Sequence, residues 1–217
     1  MPGLGVPISD EEAAARWRPW TPAELRGRLD GVDAIWGVAA GWAIDLFLGH
    51  VTRDHGDIEM SLPSTQFPAI AAALGDFAWD VPGDGRLWPY PEALDRHHQT
   101  WLRDRTSGAF LLDVFREPHD GDVWICRRDP CIRMPLRAVY EHNADGIPFV
   151  IPEVVLLFKA KRTRPKDAAD FDRVVPALSD ERRARLRGWL ARAHPEHPWR
   201  RRLDPCDHPH PRFGTVN

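Results

Sequence analysis

Across residues 64–74 the apolar positions Phe67, Ile70, Ala71 and Leu74 fall on one face at helical spacing, the stripe of a helix laid on a core. Elsewhere the pattern turns strand-like. Residues 34–39 are an apolar run, residues 57–62 alternate, and 77–81, 99–103, 110–116 and 122–127 are short segments set apart by Gly, Pro and Asp, the signature of strands between turns. Ser9 to Glu12 and Thr21 to Glu24 each form a capping box before a short helix, one running through Arg16, the other, led by Pro22, to about Leu29. Gly41 opens a short helix over 41–48, whereas 82–95 reads as irregular.

After Pro152 the pattern becomes helical. Segments 153–161, 166–178 and 179–193 each predict a helix, with Pro165 breaking the first from the second. Residues 194–217 carry Pro and His with little apolar periodicity, as an extended tail does. The pattern therefore predicts an α+β fold: a mixed β-sheet flanked by helices over 1–150, a C-terminal helical segment over 151–193, and an irregular tail over 194–217.

Composition narrows the class. A chain of 217 residues can bury a core without disulfides or structural metal. A formal net charge of −3 offers no global basic field, so nucleic acid is not an expected partner. Three cysteines, Cys126, Cys131 and Cys206, lack metal-ligand spacing and fit a reducing cytoplasm. No secretory leader or membrane-length apolar run is legible, and a monomer or homodimer is expected. The ten tryptophans are scattered and read mostly as packing residues.

Three segments carry chemistry. Asp57 and Glu59 alternate in the predicted strand, so both carboxylates would project to one face, read either as a solvated strand face or as a repulsive pair that a cation relieves. The Gly41-led helix just before them offers unpaired N–H groups to an anion. Asp113 lies in the apolar strand Phe110-Leu-Leu-Asp-Val-Phe115, where a bare charge is costly to bury. It reads either as an edge acid paired to Arg103 or Arg116, or as a third carboxylate that shares a metal and accepts a proton. Lys159 and Lys161 close an apolar helix and are either solvated or aimed at a phosphate. The Cys206-Asp-His208-Pro-His210 cluster invites a metal reading, but proline-separated tail histidines read as solvent-exposed.

Together these residues carry a resemblance. Ala40-Gly41-Trp42-Ala43-Ile44-Asp45-Leu46, followed by Gly49, Thr52-Arg53 and His55-Gly56-Asp57-Ile58-Glu59, resembles the antibiotic nucleotidyltransferases of the DNA polymerase beta superfamily. The nearest types are the small aminoglycoside adenylyltransferases and lincosamide nucleotidyltransferases. Phe158-Lys159-Ala-Lys161 through Arg164-Pro-Lys166-Asp167 and Asp170-Phe171 is similar to their C-terminal helical segment, and also to a motif of abortive-infection nucleotidyltransferase toxins. Two positions depart from the pattern: Ala40 stands where the family has a glycine, and Glu59 where it has aspartate.

The resemblance implies a nucleotidyltransferase fold and an enzyme that moves AMP from ATP, with Mg2+, to a hydroxyl of a small molecule such as an aminoglycoside or lincosamide. Asp57, Glu59 and Asp113 would be the metal ligands and catalytic groups, with Asp113 as base. Gly41, Trp42, Arg53 and Lys159 would meet the nucleotide. Two alternatives stay open. One is a toxin-like enzyme acting on RNA or protein through a groove of Arg103, Arg105, Arg127, Arg128 and Arg133. The other is a catalytically weakened nucleotide binder, for which Glu59 is the motive.

Overall fold

The computed structural model describes residues 5–204. The chain divides into two compact units, with the break between Val155 and Leu156.

The first unit opens with β1 (Val6–Pro7), then α1 (Asp10–Arg16) and α2 (Pro22–Arg28), both closed at the start by the Ser9–Glu12 and Thr21–Glu24 capping boxes. Next come β2 (Gly37–Ala39), α3 (Ala40–Leu48) and β3 (Glu59–Pro63). A 3-10 turn over Ser64–Gln66 leads into α4 (Phe67–Ala73), with Phe67, Ile70 and Leu74 buried and Ala71 half-buried. Strands β4 (Ala78–Gly83), β5 (Arg86–Pro89), β6 (Gln99–Arg103) and β7 (Phe110–Glu117) follow. Then come β8 (His119–Asp120), β9 (Val123–Ile125), β10 (Arg133–Pro135), β11 (Tyr140–His142) and β12 (Pro148–Val150).

Nine of these strands form one mixed sheet in the order β1-β5-β4-β6-β7-β3-β2-β12-β11, and β10-β9-β8 form a second. The β3/β7 and β12/β2 pairs are parallel, whereas β2/β3 and β6/β7 are antiparallel. At the sheet's centre Met60, Leu62, Leu112 and Val114 are fully buried. Strand β7 is buried on both faces over its first five residues, as the near-continuous apolar run of a covered strand requires.

Several predictions from pattern need correction. Residues 82–95 are not wholly irregular: β4 and β5 make a hairpin through Asp84 and Gly85, both at positive φ (54° and 68°). An Asp-Gly pair between apolar runs is the signal for such a turn. Strands β10, β11 and β12 are too short to register as alternation, and β2 keeps only the last three residues of its predicted run.

The break between the units falls within α5 (Pro152–Lys159). In the second unit α6 (Pro165–Val174) begins at the predicted proline break and passes into a 3-10 turn over Val175–Ala177. Helix α7 (Asp180–Ala193) starts at its Ser179 cap. The predicted irregular tail contains a short helix, α8 (Trp199–Arg202), whose Trp199 ring stacks on Phe171 at 4.3 Å. Cys206, His208 and His210 lie outside the described residues. No helix among the described residues is long and apolar enough to cross a membrane.

Candidate active site

Strand β2 runs directly into α3, so the start of that helix lies at the edge of the sheet's central strands. Its N-cap, Ala39, has no side chain able to cap, which leaves the first N–H groups of the helix without that partner. Ala40 takes φ +51°, the left-handed region, at the position where the resembled family has glycine. Gly41 is needed for space. A side chain there would run into the Arg53 guanidinium and the His55 ring.

Those two residues belong to the loop that returns from α3 to β3, and α3 itself pins that loop. Buried Asp45 accepts a hydrogen bond from Thr52 Oγ1 at 2.6 Å, and its other oxygen meets His55 Nε2 at 2.6 Å. The His55 ring stacks on Trp42 at 4.3 Å. The Gly41–Trp42–Asp45 face of the helix and the Thr52–Arg53–His55 loop therefore form one packed unit beside the helix N-terminus. Asp45, Thr52 and His55 had no role in the sequence reading beyond their place in the motif. The signal available was Asp45 at i+4 from Gly41, on the same helix face.

Strand register then assembles the acids. Ala39 is paired with Glu59, Glu59 with Asp113, and Asp113 with Trp101, a single row across β2, β3, β7 and β6. Neighbours in register share a face of the sheet, so Glu59 and Asp113 point the same way. Asp57 lies two residues before β3 rather than inside it, so strand alternation does not place its carboxylate as predicted. Its charge nonetheless acts on Asp113.

Asp113 is the buried member of the set, 7% exposed, whereas Asp57 and Glu59 are half-buried. Burial drives its carboxyl up to about 7, and the Asp57 charge adds to this against the Gln99 and Trp101 donors and Arg127. Gln99 Nε2 donates to Asp113 Oδ2 at 2.8 Å, while Oδ1 is buried with no hydrogen-bond partner. The paired-edge-acid alternative does not hold: Arg103 is bound by Asp80 at 2.5 Å, and Arg116 donates to Thr100 and to backbone carbonyls. Among the described residues no three His, Cys, Asp or Glu side chains are drawn tightly enough together to hold an ion by themselves. The buried orphan oxygen of Asp113, with Glu59 in register and the Asp57 charge acting on it, is of the hard-oxygen chemistry that suits magnesium.

Lys159 sits in the second unit, where its ammonium, 7% exposed, meets Asp167 at 2.8 Å and Asp170 at 3.0 Å. Burial pushes Asp167 upward, but hydrogen bonds from Arg164 and Lys159 outweigh it and hold the carboxyl well below its usual range. The basic groove considered for a macromolecular substrate does not present itself as a row of unengaged cations. Arg103 pairs with Asp80, Arg127 clamps Glu117 through two hydrogen bonds, and Arg105 and Arg133 donate to the Asp76 and Pro130 carbonyls.

Residues 23–103 match the sequence model of the aminoglycoside-2''-adenylyltransferase family. That span runs from α2 to β6 and contains Gly41, Asp57, Glu59 and Gln99 but not Asp113. The solution structure of the antibiotic-resistance factor ANT(2'')-Ia is similar, with 16% identity and a TM-score of 0.51, covering 76% of this chain and 86% of that one. The crystal structure of ANT(2'')-Ia in complex with adenylyl-2''-tobramycin has 16% identity and a TM-score of 0.53, covering 78% and 95%. The lincomycin-bound lincosamide antibiotic adenylyltransferase LnuA has 15% identity and a TM-score of 0.48, covering 76% and 94%. No curated protein matches the chain. The two ANT(2'')-Ia structures establish the nucleotidyltransferase fold.

Proposed function

We propose that this chain, a nucleotidyltransferase by its fold and by the adenylyltransferase family match, transfers AMP from ATP to a hydroxyl of an aminoglycoside or lincosamide-like small molecule. The observation that carries the reading is the row from Ala39 through Glu59 to Asp113, which sets an uncapped helix N-terminus beside a buried carboxylate poised near neutrality. The helix N-terminus at Gly41, with Arg53 laid over it, would receive the triphosphate. Asp57, Glu59 and Asp113 would hold magnesium, which when bound supplies charge neutralisation and polarisation at the α-phosphate.

Asp113 Oδ1 would take the proton of the acceptor hydroxyl. The acceptor oxygen bonds to the α-phosphorus, the bond from that phosphorus to the bridging oxygen breaks, and pyrophosphate leaves with the electron pair. In the metal-free chain burial raises the carboxyl to about 7, so near physiological pH it can give up its proton to become the ligand and base that this reading requires. The pinning of the Thr52–His55 loop by Asp45 and Trp42 would keep the phosphate end of the site preorganised.

Incubation with ATP, magnesium and a panel containing tobramycin and lincomycin, followed by mass spectrometry, tests the reading. An acceptor heavier by one AMP, together with pyrophosphate, is expected. Asp57→Asn and Asp113→Asn should each remove it. Failure to bind nucleotide at millimolar magnesium would rule the reading out.

A further inference from the structure

Gln99 has no part in the family resemblance drawn from the sequence, yet its side-chain amide donates to Asp113 with full hydrogen-bond geometry. It opens β6 opposite Phe115, two positions before Trp101, which is the strand partner of Asp113. Its amide therefore reaches diagonally across the ladder to Oδ2. The buried indole N–H of Trp101, short of full hydrogen-bond geometry, bears on the same carboxylate.

The terminal torsion of an aspartate is broad and roughly two-fold, so packing alone leaves its two oxygens nearly interchangeable. A single strong donor on one oxygen removes that ambiguity. The donor here is neutral, which matters as much as its position. An arginine or lysine at the same spot would satisfy the buried carboxylate while cancelling the charge that a cation or a proton must find there. An amide satisfies it and leaves the charge in place.

We infer that Gln99 is the positioning residue of Asp113: by holding Oδ2 it fixes the carboxylate plane and commits Oδ1 to the cation and the reacting hydroxyl. This role rests on the nucleotidyl-transfer reading for its consequence in rate, though its effect on cation binding does not require turnover.

The test is a graded series. Gln99→Met keeps the length and loses the donor, and Gln99→Asn keeps an amide on a shorter arm. Loss of orientation at a reacting group typically costs on the order of 10- to 100-fold, so Gln99→Met should lower kcat by that factor with the KM for ATP within about twofold. Calorimetric titration with Mn2+, without acceptor or nucleotide, should show weaker binding by Gln99→Met, with Gln99→Asn between it and the parent chain. Thermal unfolding should fall modestly in Gln99→Met, which leaves Oδ2 without its donor, and less in Gln99→Asn. A kcat and Mn2+ affinity unchanged in Gln99→Met, with the parent active, would overturn the role and leave the functional reading intact. A parent chain that binds Mn2+ but transfers nothing would end the functional reading, and the affinity series would still decide the role, flat affinities overturning it.

Discussion

Glu59 and Asp113 stand directly opposite one another on the parallel strands β3 and β7, with the Asp113 N–H donating to the Ile58 carbonyl at 2.9 Å. Fifty-four positions apart in the sequence, they share a face because the register of two central strands makes them neighbours. Their surroundings differ. Asp113 is buried and carries a raised pKa, whereas Glu59 is half-buried at the start of its strand.

The raised carboxyl makes stability depend on pH. Because Asp113 is shifted up from 3.8 to about 7 in the folded chain, its favourable contribution is complete below the ordinary value and is lost as pH rises through about 7. Asp113→Asn, which resembles the protonated acid, should match the parent chain near pH 4 in EDTA. By pH 8 it should be the more stable. At ~1.4 kcal/mol for each tenfold change in proton affinity the difference can reach about 4 kcal/mol. Denaturant titrations at the two pH values check this; an equal difference at both would refute it.

Magnesium should oppose that loss. A cation bound by the acidic set stabilises the folded chain by mass action and competes with protons. The rise in Tm with added magnesium is expected to be larger at pH 8 than at pH 5.5 and to vanish in Asp57→Asn. Differential scanning fluorimetry is sufficient.

Ala40 and Gly41 should respond in opposite directions. A left-handed alanine costs roughly 1–2 kcal/mol, partly offset by the greater freedom of an unfolded glycine. Ala40→Gly is therefore expected to stabilise by up to about 1 kcal/mol. Gly41→Ala would push against a His55 ring fixed by both Asp45 and Trp42, and should weaken ATP binding by on the order of tenfold or more. Denaturant unfolding and nucleotide titration separate the two effects.

Asp45 is predicted to be structural in energy and functional in consequence. Asp45→Ala leaves Thr52 Oγ1 and His55 Nε2 without their partner, at a cost of roughly 2–3 kcal/mol. Hydrogen exchange should show the loop between α3 and β3 losing protection before the sheet does.

Lys159 offers a separate test within the second unit. Lys159→Met leaves Asp167 and Asp170 buried, each 1% exposed, without its ammonium, and removal of one partner from a buried ionic cluster typically costs roughly 3–5 kcal/mol. The variant should unfold at markedly lower denaturant. Unchanged stability with impaired ATP binding would instead favour a phosphate role.

Local chemistry explains what could be read in advance. The two capping boxes, the proline break at Pro165, the helix opening at Ser179 and the strand over Gln99–Arg103 depend on residues close in sequence, and they appear close to where the pattern put them. The Asp84-Gly85 hairpin was equally local, but of its strands only the start of β4 registers in the pattern, over 77–81; β5, four residues ending in a proline, is too short for periodicity to show. Asp113 stood out because one acid interrupts an apolar run. Gln99 did not, because an amide at the end of a half-buried strand is ordinary until its partner is known.

The sequence by itself singled out the candidate residues: the glycine-led helix, Asp57, Glu59 and the acid set in an apolar strand. Those choices follow from side-chain type and nearest neighbours, which the chain carries locally. Only the tertiary structure decided that Glu59 and Asp113 share a face, that Asp45 clamps the loop over Gly41, and that Gln99 holds one oxygen of Asp113. Each of these depends on strand register or on a side chain meeting a partner from another element. Burial of the central strands fixes such relationships, because slipping one of them by a residue would turn its side chains to the opposite face.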